Sequence, residues 1–158
     1  MTTITEPVSD PAFDGPDGLL PADLFARLVA RISRDEEVSI DYAERVMSQT
    51  LGFLQACALN PAAGLSPSEA VDVGWHAFIL HTREYAAYCQ RLAGRFIHHR
   101  PSDDFDEAAS RKSEAIGATV AAMRAAGIGV DPELWLPASR CSQCYAGCAD
   151  DPRTGETA

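Results

Sequence analysis

Apolar residues recur along most of this chain at intervals of three and four, the spacing of helices with one buried face. Leu24, Phe25, Leu28, Val29 and Ile32 form the first such set and predict a helix over Leu20–Ile32, with Pro21 in its first turn. Val46, Met47, Phe53, Leu54 and Cys57 share a face of a second helix, from about Ile40 to Ala58, which Asn60-Pro61 ends. The third start is the sharpest. Ser66-Pro67-Ser68-Glu69 reads as a capping box, with Ser66 as the cap, Pro67 at the first helical position and Glu69 reaching back to the Ser66 amide. The stripe Val71, Trp75, Phe78, Thr82, Tyr85, Cys89 and Ala93 then predicts one continuous helix to about Leu92, ended by Gly94. A fourth helix starts near Ser102–Asp104, carries Ile116, Val120 and Met123, and stops at Gly127. Asp131-Pro132-Glu133 opens one more short turn holding Leu134, Trp135 and Leu136.

No alternating stretch of strand length and no internal repeat interrupts this pattern. The expected architecture is therefore all-α, a small antiparallel helix bundle with short connections. Residues 1–18, acidic and rich in Pro and Gly, read as a flexible, disordered arm; 19–137 form the helical domain; 138–158 form a Cys-rich tail. The start has neither the basic residues nor the apolar run of a signal peptide, which predicts a cytoplasmic protein. No apolar run reaches the length of a membrane span.

Charge narrows the partners. A formal net charge of −10 argues against broad nucleic-acid binding, which needs a basic surface. The acidity lies in the flanks, however. Between Val71 and Pro101, Arg83, Arg91, Arg95 and Arg100 outnumber Asp72 and Glu84. Lys112 is the only Lys, and the Arg-, Ala- and Asp-rich composition suits a GC-rich bacterial genome.

The same segment holds all four His: His76, His81, His98 and His99. Asp72 and His76 are four apart and so neighbours on an edge of the buried stripe, where the carboxylate would orient the ring or merely brace the helix. His81 lies roughly 140° round the helix from His76, so the two do not suit one ion. On a continuous helix His76 also lies about 26 Å behind Ala93. Six residues from Ala93 to His99 span at most about 20 Å, which separates His76 from His99. His99 is instead placed to approach Tyr85, Cys89 or the C-terminal tail. Cys89, at the centre of the stripe, reads as packing before it reads as a nucleophile paired with His99.

The run Val71-Asp72-Val73-Gly74-Trp75-His76-Ala77-Phe78-Ile79-Leu80, then Thr82, Tyr85 and Cys89, then Gly94-Arg95-Phe96-Ile97-His98-His99-Arg100-Pro101, resembles the glycine-rich domain-containing protein-like family. The shared pattern is D-x-x-W-H-x-x-I, a Tyr, and G-x-F-x-x-H, over about 30 residues. The resemblance implies a short bacterial member, without the long Gly-rich stretch of plant relatives. It marks Asp72, Trp75, His76, Tyr85, Cys89 and His99 as the family-motif site, and ranks His81 and His98 below them. It brings no activity with it.

Five Cys, three of them clustered as Cys141-x-x-Cys144-x-x-x-Cys148, suit a soft or borderline metal better than a disulfide framework in a reducing compartment. Zinc is the first choice and an iron–sulfur cluster the second. A fourth ligand is missing locally; His98, His99 or Cys89 could supply it, with His99 preferred. There is no phosphate loop, no dinucleotide fingerprint and no nucleophile elbow. The expectation is a binding or interaction protein, holding a structural zinc and meeting a protein or small-molecule partner. The alternative is a metal-dependent enzyme using His76, His99 or both as ligand or acid/base.

Overall fold

The computed structural model describes residues 18–100 and 108–135. The predicted arm, the Cys-rich tail, Leu136 and the expected helix start at Ser102–Asp104 fall outside these residues, Gly18 excepted. Among the described residues there are six helices and no strand: α1 (Ala22–Asp35), α2 (Ile40–Leu59), α3 (Glu69–Ile79), α4 (Thr82–Ala93), α5 (Ala108–Ala125) and α6 (Pro132–Trp135). None is long and apolar enough to cross a membrane.

α2 is the central element, packed against α1, α3, α4 and α5. Helix α1 buries all five residues of its predicted apolar set and runs back into α2 through a short turn. Ser39 caps α2, its hydroxyl accepting from the Tyr42 amide at 3.2 Å. The predicted apolar face of α2 lies in the core, with Phe53 and Leu54 fully buried and Cys57 at its margin. Gly94 and Gly127, with φ of 65° and 75°, end helices where the pattern places them, in the left-handed region that favours glycine.

Two expectations need correction. The third helix is capped by Ser68, not Ser66: the Ser68 hydroxyl accepts from the Val71 amide at 3.2 Å, and helical geometry begins at Glu69. Ser66 is used elsewhere. Its amide donates to Thr119 Oγ1 (3.0 Å), which donates in turn to the Ser66 carbonyl (2.8 Å), fastening α5 to the entry of α3. The helix is also not continuous to Leu92. It breaks at Leu80-His81, where the His81 amide turns back to the Phe78 carbonyl and His81 takes φ −88° and ψ 66°. Thr82, a member of the apolar stripe, is consequently exposed, and so is Leu80. The break has a physical cause downstream. Phe78 and Tyr85 lie with ring centroids 5.1 Å apart, whereas seven residues of straight helix advance about 10.5 Å.

Close approach of α3 to α2 depends on Gly74. Thr50, fully buried on α2, donates to the Val46 carbonyl (2.8 Å) and lies 3.1 Å from the Val71 carbonyl of α3. A methyl group on Gly74 would collide with the Thr50 hydroxyl and press on Val46. Two residues past Thr50 on α2, a methyl group on Gly52 would likewise press on Ile128 and Met123, at the end of α5.

The C-terminal turn is latched onto α2 by side chains some 80 positions away in sequence. Gln49 Oε1 accepts from the Trp135 indole (2.7 Å) and the Asp131 amide (3.0 Å), while its Nε2 donates to the Gly129 carbonyl (3.1 Å). Arg45 forks to Asp131 (2.7 Å) and Glu133 (2.6 Å). The Arg45 hydrogen bond holds the Asp131 carboxyl below its ordinary range, with burial opposing.

Two outcomes follow from these contacts. Gly74→Ala overpacks the α2–α3 crossing and lowers stability by about 1–3 kcal/mol, read as a reduced denaturant midpoint. For the latch, a lowered folded-state pKa at Asp131 means its contribution is complete above the unfolded value and is lost as pH falls through the folded one. Tryptophan emission should therefore report loosening of α6 below about pH 4, and Arg45→Met should remove that acid transition.

Candidate functional site

The break between α3 and α4 assembles the motif residues. It turns α4 so that Tyr85 points back to Trp75, whose indole N–H donates to the Tyr85 hydroxyl at 2.8 Å. That hydroxyl donates in turn to the Ile97 carbonyl at 2.6 Å. Both rings are buried, Tyr85 completely. Burial pushes the Tyr85 phenol well above its ordinary range, with the Trp75 hydrogen bond opposing and Cys89 alongside adding to the effect, so the hydroxyl keeps its proton. Tyr88, on the next turn, is likewise buried and raised. Its hydroxyl meets no partner among the described residues, and its ring is held by Phe78 at 5.2 Å.

Residues 96–100, without helical geometry, alternate in exposure after Gly94. Ile97 is buried and His99 half-buried, while Phe96, His98 and Arg100 face outward. The inward set anchors the segment. Ile97 is held by Tyr85, and His99 Nε2 meets Asp72 Oδ1 at 2.7 Å. A carboxylate only accepts, so Nε2 carries the hydrogen and Nδ1 is the nitrogen left over. The His99 ring stands edge-on to Trp75, with centroids 4.6 Å apart, and 6.2 Å from the His76 ring. The outward set forms its own contacts: Phe96 lies 5.2 Å from Tyr85 and 4.8 Å from His98. Arg95 donates to the Cys57 carbonyl at 3.3 Å, tying the start of the segment to α2.

The structure thus brings together Asp72, Trp75, Tyr85 and His99, with His76 exposed at their edge. The separation expected between His76 and His99 is overturned, because it assumed a helix running unbroken to Ala93. Asp72 orients His99, 27 positions away, rather than His76 four positions on. Cys89 is fully buried in the core beside Tyr85. His81 sits apart at the N-terminus of α4, its carbonyl accepting from the Tyr85 amide. The Cys57 thiol is pushed up to about 12 by burial, with Arg95 opposing, and so stays protonated near neutral pH. Cys141, Cys144 and Cys148 lie outside the described residues. Among the described residues, no group of three or more His, Cys, Asp or Glu is placed to hold a metal ion.

Sequence reasoning missed Gln49, Thr50 and Thr119, each of which serves a distant element. Only their polar character at mainly apolar positions hinted at a buried bond.

Fold and site together define an all-α bundle whose Trp, Tyr, Asp and His motif clasps an extended segment across two helices. The chain belongs to the UCP032817-like family, whose model matches residues 19–125. That match spans α1 to α5 and the whole clasp, and the family's name carries no activity. No curated protein and no solved structure matches the chain.

Removing the Tyr85 hydroxyl should expose how much the clasp holds. Tyr85→Phe leaves the buried Trp75 N–H and Ile97 carbonyl without their shared partner, a loss of about 1–3 kcal/mol. Denaturant unfolding should show that loss, and amide exchange should accelerate at 95–100 before it does elsewhere.

Proposed function

We propose that this protein is a small helical binding module of the cytoplasm, whose contact surface is centred on residues 95–100. One observation carries the reading: internal bonds among Trp75, Tyr85, the Ile97 carbonyl, Asp72 and His99 anchor the segment so that Phe96, His98 and Arg100 face outward. Phe96 is half-exposed and in ring contact with His98, which gives this outward face an apolar ring beside two polar side chains. The local excess of Arg, in a chain of net charge −10, favours a partner that is anionic where it meets Arg100. Such a partner is a protein or a small molecule. The resemblance to the glycine-rich domain-containing protein-like family, as a short bacterial member, agrees with a module of this size. In this reading Cys141, Cys144 and Cys148 hold a structural zinc, with an iron–sulfur cluster the less favoured occupant.

A second reading has one observation in its favour. His76 and His99 lie 6.2 Å apart beside Asp72, which favours a metal-dependent enzyme with His76, His99 or both as ligand or acid/base. The two readings part on His76. For a binding module, the wild-type chain should run in a complex on gel filtration of cell extract, and Phe96→Ser and Arg100→Glu should each abolish it with the unfolding midpoint unchanged. His76→Ala should leave both complex and metal content intact. Loss of a bound metal in His76→Ala, with the complex unaffected by the Phe96 and Arg100 changes, would establish the enzyme instead.

A further inference from the structure

We infer that residues 96–100 present an open strand edge that receives an extended, acidic peptide segment of a partner protein by main-chain pairing. The inference rests on the contact surface proposed above. It names the partner's chemistry and the way the partner is held.

The backbone of this segment is where the fold leaves most unsatisfied. Every residue other than Pro brings one N–H and one C=O that need hydrogen-bond partners. The Ile97 carbonyl has one in the Tyr85 hydroxyl. From Phe96 to Arg100, no other main-chain group has a partner among the described residues.

The alternation in exposure decides which edge is open. In an extended chain the side chains alternate between two faces, and the main-chain groups alternate between two edges with the same period. Ile97 and His99 turn inward, and the edge they serve is the one that meets Tyr85. Phe96, His98 and Arg100 therefore direct three N–H and three C=O groups to the opposite edge, and all three residues are exposed. A row of this kind is a template for another chain. Main-chain bonds supply the affinity, and alternate side chains supply the selectivity.

Charge selects the occupant. Arg91, Arg95 and Arg100 are exposed, and no Asp or Glu lies between Glu84 and Asp103 to offset them. Asp72, on the inward side of the segment, is engaged by His99. A second copy of this chain would bring the same Arg residues to the same edge, which disfavours self-pairing. A partner strand with Asp or Glu where it passes Arg100, and an apolar side chain where it passes Phe96, satisfies both.

Titrating the isotope-labelled full-length protein with a short blocked peptide of alternating Val and Glu, followed by NMR, tests the pairing. The amides of Phe96, His98 and Arg100 should shift saturably and gain protection from exchange, while those of Ile97 and His99 change less. The same peptide with Lys in place of Glu should bind roughly tenfold more weakly. His98→Pro removes the central donor of the edge, whose amide has no internal partner. Its unfolding midpoint should hold while affinity falls roughly tenfold. His98→Ala, which keeps the N–H, should bind as the wild type does. No saturable shift with the Glu peptide, or shifts confined to Ile97 and His99, would overturn the inference. Edge amides already protected in the free protein would overturn it as well, since the edge would then be filled by the chain itself or a second copy. The native complex judges the surface separately. Its loss in Phe96→Ser but not in His98→Pro would refute strand pairing and leave the contact surface standing. A complex indifferent to Phe96→Ser, Arg100→Glu and His98→Pro would sink both.

Discussion

The Tyr85 hydroxyl accepts from the indole of Trp75 and donates to the carbonyl of Ile97, and both bonds are buried. A phenol is one of the few side chains that can do both at once. Here it joins α3, α4 and the segment that follows them. For Tyr85 to reach Trp75, the helix must break between them. Once it breaks, residues 94–100 can fold back along α3 and bring His99 to Asp72. The candidate site, its exposed face and its half-buried imidazole are consequences of that one hydroxyl finding two partners.

The rest of the bundle keeps α3 where this can happen. Gly74 lets α3 approach α2 closely enough for the Thr50 hydroxyl to lie against the Val71 carbonyl. Phe53, also from α2, packs edge-on against Trp75. On the C-terminal side, Gln49 makes three side-chain bonds to Gly129, Asp131 and Trp135, so a four-residue helix with little cohesion of its own is held firmly. Short helices are marginal by themselves because nucleation is costly; α6 exists because α2 receives it.

The chemistry of the motif divides along the same lines. Trp75 and Tyr85 are interior and shape the fold. Asp72 and His99 sit at the boundary, paired but partly open to solvent. His76, Phe96, His98 and Arg100 are exposed. A motif read as one cluster of reactive residues therefore has three layers. Only the outer two can meet a ligand.

Much of this was legible in the sequence. The 3.6-residue period decided that the chain is all-α, which residues of α1 and α2 are buried, and where Gly94 and Gly127 stop their helices, because local spacing and glycine's access to positive φ are properties of short stretches. Residue identity also marked Asp72, Trp75, Tyr85 and His99. What it could not disclose was their geometry. No Pro or Gly stands at Leu80-His81, and the apolar stripe stays in phase across the break, so periodicity reads straight through it. Ser66 and Ser68 both suit a cap, and the choice fell to Ser68 because Thr119, 53 positions from Ser66, claims the other's backbone. The Asp72–His99 pair arises in the same manner. It exists only because non-local hydrogen bonds bend the chain, and such bonds leave no period to be read.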